Sequence, residues 1–286
     1  ESGSESGSES GSESGSESGS ESGSESGSES ESFIEAVINK FPVQLICLEK
    51  CEDTLDSLMS GGEMTNAEWG SAFMQVIMSL ITFQKSFELT HNDLHTNNIM
   101  YNKTDKHNIF YLYNNNYYKV PTFGRLFKII DFGRAIYKFN GKTICSDSFH
   151  PKGDASSQYN IEPFFNKNKP RLEPNMSFDL CRLGCALFDY FVDDLDNVDK
   201  ECELDPVVKV VVSWCKDDKN RNILYKNNGD ERYPEFKLYK MISRTVHNHT
   251  PQSVLETSFF EKYKISKRKI PKKAKIINID EIPCYV

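Results

Sequence analysis

The stretch HNDLHTNNIM, residues 91 to 100, contains side chains whose types and spacing suit phosphoryl transfer. Asp93 is followed five residues later by Asn98, and Asp131 opens the sequence DFG directly after the apolar run LFKII. Phosphoryl transfer needs an aligned hydroxyl acceptor, a clamped nucleotide and a divalent metal that offsets the charge of the phosphates. Carboxylates and carboxamides supply these needs, so we expect the three residues to lie around one phosphate group.

The order and spacing of these residues resemble the catalytic loop H-x-D-L-x-x-x-N and the metal-binding DFG of the eukaryotic-type protein kinase superfamily. The resemblance implies that Asp93 accepts the proton of the substrate hydroxyl. Its role is mainly orientation, because a carboxylate with an unperturbed pKa of about 4 cannot deprotonate an alcohol in advance. The resemblance also implies that Asn98 and Asp131 bind ATP through Mg²⁺, which bridges the phosphates.

His95 departs from the family pattern, because protein kinases usually have a lysine here that steadies the γ-phosphate. A histidine at this point is more like the small-molecule kinases of the aminoglycoside and choline type, and some divergent protein kinases. His95 can still donate to a phosphate oxygen, with a charge that depends on pH near neutrality. We therefore include it among the catalytic residues and keep a small-molecule kinase as an alternative function.

Other matches extend the resemblance from about residue 43 to residue 265. The stretch LICLEKCEDTLDSLM resembles the strand, gatekeeper and hinge of the family. This likeness implies that Leu48 lies behind the adenine of ATP and that the backbones of Glu49 and Cys51 lie at its edge. The stretch DLCRLG resembles the start of the central C-lobe helix, where Asp179 would hold the backbone of the catalytic loop.

Asn92 stands where the family usually has an arginine beside the catalytic aspartate. That arginine normally forms a cationic pocket for a phosphate on the activation segment. Because Asn92 carries no charge, we expect activity not to depend on that switch. Residues 137 to 176 have no clear period and are expected to form a long irregular segment.

The elements with which the family clamps its nucleotide are not recognisable upstream. A kinase needs a glycine-rich loop over the phosphates, a strand lysine and a helix glutamate that holds this lysine. The first lysine of the chain is Lys40, which already adjoins the hinge-like stretch. This leaves a non-catalytic pseudokinase or interaction scaffold as a second alternative function.

The first 32 residues are seven ESGS units followed by ESES, and they contain no apolar side chain. Such a segment cannot bury a core, so we expect it to be disordered or artificial. It carries nine of the 42 acidic residues, which leaves 33 against the 34 Lys and Arg of the chain. The net charge of −8 therefore says nothing about partners.

Periodicity predicts the elements that position the candidate residues. The nearly continuous apolar run over residues 43–51 predicts a buried strand, and EDTLDSLMSGG predicts a short helix closed by glycines. A capping box at Thr65 and Glu68 predicts a long helix ending near Phe87. The next stretches predict an aromatic hairpin at NIFYLYNNNYYKV, a strand at LFKII and an apolar helix at SFDLCRLGCALFDYF. LYKNNGDERYPEF predicts another hairpin.

The predicted fold class is α+β, with a protein-kinase-like fold made mainly of the α-helical C-lobe, the hinge and part of the N-lobe. The leading function is ATP- and Mg²⁺-dependent transfer to a serine or threonine hydroxyl of a protein substrate. The expected parts are a low-complexity segment, residual N-lobe strands with the hinge, the C-lobe and a basic C-terminal tail, at residues 1–32, 33–58, 59–265 and 266–286.

The basic end of the chain has eight Lys or Arg between residues 262 and 275. Such a run is compatible with a nucleic-acid or acidic partner and also with an ordinary solvated terminus. The eight cysteines include no CxxC pair, and no apolar run approaches 18 residues. We therefore expect a reduced, intracellular, cytoplasmic protein without membrane association. Asn, Lys, Tyr, Phe and Ile are abundant, which fits an AT-rich genome such as that of a large DNA virus. A viral protein of this kind would lie in the host cytoplasm or the virion.

Overall fold

The computed structural model describes residues 37–43, 45–62 and 64–286. The chain divides into two units, Glu1–Leu48 and Glu49–Val286. The predicted disorder of residues 1–32 lies outside the described residues, and so does the start of the expected residual N-lobe, residues 33–36. In the first unit the described residues form a turn at Asn39 and Lys40 but no helix or strand.

The prediction of a buried strand over residues 43–51 is wrong. Its described residues form no strand, and none of the described strands pairs with them. An apolar run becomes a buried strand only where neighbouring strands and a covering layer receive it. Without that pairing its apolar side chains are 74% to 86% exposed, at Val43, Leu45, Ile46 and Leu48.

The second unit is a mixture of helices and short strands, which confirms the α+β class. Its described helices are α1 Leu55–Ser60, α2 Asn66–Phe87, α3 Phe178–Phe191, α4 Val198–Leu204, α5 Pro206–Trp214, α6 Phe236–Thr245, α7 Pro251–Leu255 and α8 Ser258–Glu261. Its described strands are β1 Asp53–Thr54, β2 Ile99–Lys103, β3 Asn108–Tyr113, β4 Asn116–Pro121, β5 Arg125–Ile129, β6 Tyr137–Phe139, β7 Lys142–Ile144, β8 Lys264–Ile265 and β9 Ile276–Asn278.

Helix α2 begins with the predicted capping box and delivers the chain to the candidate residues. The Glu68 carboxylate accepts from the Thr65 N–H at 2.9 Å, and Thr65 Oγ1 accepts from the Glu68 N–H at 3.4 Å. Most of its apolar side chains are fully buried, so the helix is central to the main core. Glu88 then adopts a left-handed conformation with φ 45°, which ends the helix three residues before His91.

Strands β2 and β5 hold the two sequence motifs side by side. Strand β2 begins directly after Asn98, and β5 ends two residues before Asp131. The two strands are antiparallel neighbours, with Ile99 opposite Ile129. The end of the loop at residues 91–98, called here the motif loop, therefore lies next to the DFG sequence.

The predicted apolar helix is α3, and it packs on two cores with opposite faces. Leu180, Leu183 and Leu187 lie in the main core with α2. Phe178 and Phe188 lie in a second core that α3 shares with α5 and α6. Because both faces are buried, the first turn of α3 is a rigid platform beneath the motif loop.

The C-terminal residues differ from the expected separate tail. Strand β8 pairs with β4 and β9 pairs with β3, which makes a four-stranded sheet in the order β8-β4-β3-β9. The Asp280 carboxylate accepts from the N–H groups of Asn114 and Asn115 at the tip of the β3–β4 hairpin, at 2.7 and 3.0 Å. Ile279 is fully buried in the main core. The aromatic hairpin and the end of the chain therefore form one structure.

The hairpin predicted for LYKNNGDERYPEF is reduced to a single bridge between Tyr225 and Glu231. Among the residues that the structure describes, no helix has both the length and the apolar composition needed to cross a membrane.

Candidate active site

Backbone hydrogen bonds bring the motif loop and the DFG sequence together. The Ile130 N–H donates to the Asn98 carbonyl at 3.0 Å, and Thr90 and Ile136 exchange a pair of hydrogen bonds at 2.9 and 3.0 Å. Asp131 adopts a left-handed conformation with φ 59°, and its Oδ1 accepts from the Gly133 N–H at 3.2 Å. The exposed Asp131 carboxylate is thereby fixed next to the end of the motif loop.

Asn98 has a side chain whose two ends serve different purposes. Its amide nitrogen donates to the Asp93 carbonyl at 2.9 Å and to His95 Nε2 at 3.2 Å. Both amide hydrogens are used by these bonds, and no described residue donates to Oδ1. A carboxamide oxygen keeps two acceptor lone pairs, so Asn98 Oδ1 is available to a metal ion or a donor group.

Asp93 has one occupied and one accessible carboxylate oxygen. Oδ1 accepts from the Tyr239 hydroxyl at 2.7 Å, whereas Oδ2 lies 3.9 Å from Arg134 Nε. The side chain is 23% exposed. This geometry orients the carboxylate and leaves Oδ2 able to accept a hydrogen bond from a substrate hydroxyl.

Tyr239 and Arg182 are site residues that the sequence did not indicate. Tyr239 lies on α6, and its hydroxyl oxygen accepts from Arg182 Nε at 3.0 Å. Burial opposes the charge of Arg182, but Tyr239 and Asp93 outweigh it and raise the pKa of the guanidinium. Burial also raises the pKa of the Tyr239 hydroxyl, which keeps its proton for Asp93. No spacing rule links these three residues, so only the folded chain shows the connection.

Asp179 holds the backbone of the motif loop, which confirms the expectation for this residue. Its two carboxylate oxygens accept from the N–H groups of His91 and Asn92, at 2.9 and 2.8 Å. His91 is fully buried and donates from Nε2 to the Ile130 carbonyl at 2.8 Å, while its Nδ1 accepts from the Asp93 N–H at 3.3 Å. These contacts assign the neutral tautomer with the proton on Nε2.

Asn92 is the centre of a fully buried, uncharged hydrogen-bond network. Its amide nitrogen donates to the carbonyls of Thr90 and Arg134, and its Oδ1 accepts from the Tyr159 hydroxyl at 2.7 Å. Its φ of 63° is left-handed, a conformation that asparagine tolerates better than most residues. The side chain therefore ties the irregular segment to the motif loop and offers no charge to a phosphate.

His95 is half-buried beside these residues. Burial and the nearby Arg182 lower its pKa, against a smaller opposing effect of Asp93 and Asp131. Since Nε2 accepts from Asn98, the neutral ring carries its proton on Nδ1. The donor that His95 can offer to a phosphate oxygen is therefore Nδ1.

The expected adenine-binding residues fall in different units. Leu48 belongs to the first unit, where its side chain is 83% exposed. Glu49 and Cys51 belong to the second unit, and the Glu49 carboxylate accepts from Asn102 Nδ2 at 2.8 Å and also binds Lys128. No described residue forms a hydrogen bond with the backbone N–H or carbonyl of Glu49 or Cys51.

Asn98 and Asp131 offer ligand types that suit a metal ion arriving with a nucleotide. No group of three or more His, Cys, Asp or Glu within residues 37–43, 45–62 and 64–286 is placed to hold a metal ion. Mg²⁺, however, commonly takes only one or two protein carboxylates and fills its other positions with phosphate oxygens and water. One carboxylate and one free carboxamide oxygen fit that requirement.

In comparisons with known proteins, no family model matches this chain, and no curated protein matches it. The function is therefore inferred from the geometry of the site.

Proposed function

We propose that the chain has a protein-kinase-like fold and transfers the γ-phosphate of ATP to a serine or threonine hydroxyl of a protein. The observation that carries this proposal is the orientation of Asn98. Its nitrogen bonds to the Asp93 carbonyl, so its oxygen remains free, and its backbone carbonyl accepts from the N–H of Ile130, the residue before Asp131. This orientation supports roles for Asp93 as the base and for Asn98 and Asp131 as the metal-binding groups that phosphoryl transfer requires.

In this proposal each residue of the candidate site has a defined role. Asp93 Oδ2 orients the acceptor hydroxyl and takes its proton late, as the new bond to phosphorus forms. Asn98 Oδ1 and Asp131 would hold Mg²⁺, which offsets the negative charge of the phosphates when bound. His95 donates from Nδ1 to a phosphate oxygen, and Asp179 keeps the motif loop in place.

A nucleotide and a peptide would approach from different sides of these residues. The free backbone groups of Glu49 and Cys51 support binding of the adenine edge. The bond between Tyr159 and Asn92 supports a protein substrate, because it ties the irregular segment to the neighbour of Asp93, and an extended peptide would lie along that segment. A pocket that binds only a small molecule would not need such a surface.

The decisive experiment compares Asp93→Asn with wild-type protein in transfer from radiolabelled ATP to a mixture of protein substrates. We expect Asp93→Asn to lower the rate about a hundredfold or more, since general bases contribute at least that much. Asn97→Ala is the matched control, because Asn97 is an exposed residue of the same loop. Near-full activity in a correctly folded Asp93→Asn protein would refute the proposal.

The two alternatives can be separated with the same protein. A small-molecule kinase, suggested by His95, would phosphorylate amino alcohols or aminoglycosides in preference to proteins. A scaffold would show no saturable binding of ATP that depends on Mg²⁺. Calorimetric titration with ATP, with and without Mg²⁺, distinguishes the scaffold from both kinases.

A further inference from the structure

A pocket of about 580 Å³ lies between the irregular segment and helix α6. Its size falls within the range of about 300–1,000 Å³ that is typical of ligand-binding pockets. No carboxylate lines it. Its walls combine apolar and basic residues, among them Phe149, Phe164, Leu172, Lys169, Arg171 and Arg244.

Two of the three cations in this pocket have no acidic partner among the described residues. Arg244 donates to the carbonyls of Ser157 and Lys240, both at 2.6 Å, and these bonds fix its guanidinium at the wall. A guanidinium has five N–H donors, so several remain. Lys169 makes no side-chain hydrogen bond with a described residue, whereas Arg171 is paired with Glu173.

The pocket is connected to the motif loop by a single aromatic ring. Tyr159 lines the pocket, and its hydroxyl donates to Asn92, the neighbour of Asp93. An extended peptide advances about 3.3 Å per residue, so a few residues span the length of a tyrosine side chain. A peptide whose hydroxyl lies at Asp93 can thus place a nearby side chain in the pocket.

We propose that this pocket binds an anionic side chain, a carboxylate or a phosphate, of the peptide that presents the acceptor hydroxyl. The inference rests on the proposed function and adds a substrate class to it. Arg244 and Lys169 supply charge that has no other partner in the described part of the chain, and the apolar wall receives the methylene groups of the same side chain. The ligand is therefore an acidic or already phosphorylated peptide.

The test uses direct binding and needs no catalysis. Three fluorescently labelled peptides share one serine and differ only at the positions that come after this serine. These positions hold glutamate in one peptide, phosphoserine in the second and glutamine in the third. Anisotropy titrations with the full chain should show the anionic peptides binding about tenfold more tightly than the glutamine peptide, as expected for a charge-assisted contact. The tighter of the two anionic peptides identifies carboxylate or phosphate as the preferred group. Equal binding of all three overturns the proposal.

Variants locate the effect in the pocket. Lys169→Gln and Arg244→Gln should each weaken the anionic peptides several-fold and leave the glutamine peptide unchanged. Lys167→Gln is the control, because Lys167 is an exposed cation of the same segment outside the pocket lining. If Lys167→Gln weakens binding as much as Lys169→Gln, the pocket is not the site. Lys169→Gln removes no described hydrogen bond, so it tests the pocket even where Arg244→Gln disturbs folding.

Failure of this inference is distinguishable from failure of the proposed function. If no peptide is phosphorylated but the anionic peptides bind through Lys169 and Arg244, the pocket stands and the kinase proposal falls. If peptides are phosphorylated but charge does not affect binding, the kinase proposal stands and the pocket proposal falls.

Discussion

Tyr239 donates its hydroxyl hydrogen to Asp93 Oδ1 at 2.7 Å, although 146 residues separate the two in the sequence. The same hydroxyl accepts from Arg182, so a half-buried cation on α3 acts on Asp93 through a tyrosine on α6. The Tyr239 ring is stacked on Phe236 at 5.2 Å and lies near Phe178 at 6.0 Å. Packing thus holds the ring while the hydroxyl orients the carboxylate.

Replacement of Tyr239 by phenylalanine should lower kcat about tenfold or more and change KM little. The ring packing is kept, but Asp93 loses the donor that orients it, and small errors in the position of a catalytic group cost at least this much. Steady-state kinetics with ATP and a peptide measure the effect. Tyr233→Phe is the control, because its hydroxyl makes no hydrogen bond with a described residue. Equal losses in both variants would show that Tyr239 has no special role.

Tyr159→Phe should destabilise the protein by about 1–3 kcal/mol, because it leaves the buried Asn92 Oδ1 without its donor. Denaturant unfolding measures this loss. Tyr137→Phe serves as a comparison, since Tyr137 is only half-buried and its hydroxyl has no described partner. An unchanged midpoint for Tyr159→Phe would mean that the tie between the irregular segment and Asn92 does not contribute to stability.

Phosphatase treatment should leave activity unchanged. Asn92 offers no charge to a phosphate, and its side chain is already fully hydrogen-bonded to Thr90, Arg134 and Tyr159. Transfer rates measured before and after treatment of purified protein, with removal of phosphate verified by mass spectrometry, test this expectation. Loss of activity on treatment would contradict it.

ATP should raise the Tm of the protein only in the presence of Mg²⁺, by a few degrees at saturation. A ligand at a hundred times its Kd stabilises the folded state by about 2.7 kcal/mol. Asp131→Asn should abolish the rise in Tm that ATP and Mg²⁺ cause together. Asp105→Asn should keep this rise, because Asp105 is an exposed carboxylate elsewhere in the unit. Thermal unfolding with ATP alone, Mg²⁺ alone and both ligands measures the difference. Stabilisation by ATP without Mg²⁺ in all variants would remove Asp131 from the metal site.

The segment from β8 to β9 should bind polyanions such as duplex DNA. Seven of its exposed Lys and Arg form no ion pair within the described residues, namely Lys264, Lys267, Arg268, Lys269, Lys272, Lys273 and Lys275. For every DNA phosphate that the protein neutralises, the slope of log affinity against log salt steepens by about 0.9. Neutralising Lys267, Arg268 and Lys269 together should reduce affinity and slope more than neutralising three exposed lysines of the helical region, Lys200, Lys209 and Lys219. Equal effects would indicate that binding depends only on the overall positive charge of the protein and not on this segment.

Elements with local signals were predicted well from the sequence. The capping box at Thr65 marked α2, and Asn114 with Asn115 marked the β3–β4 turn, where both residues have positive φ. The position of Asp179 followed from its motif. These features depend on neighbouring residues, so the sequence alone is sufficient to locate them.

Features that depend on distant partners were missed. The five valines of α5 favour a strand by propensity, yet Asp205 caps a helix there with Pro206 at its first position, and packing on α3 completes it. Strands β8 and β9 are too short to show a period. The exposed apolar run over residues 43–48 shows the reverse case, in which a strong local pattern has no described partner.

The pairing of β9 with β3 sets an order of events during protein synthesis. Phe110 lies opposite Ile276, so a ribosome must add more than 160 residues after Phe110 before this sheet can close. The end of α2 forms hydrogen bonds with the residues that follow β9. Lys85 donates to the Asp280 carbonyl at 2.7 Å, and the Ser86 carbonyl accepts from the Tyr285 N–H at 2.8 Å. A nascent chain that lacks residues 276–286 also lacks these bonds, so the helix that leads into the motif loop is fully supported only after this segment has been synthesised.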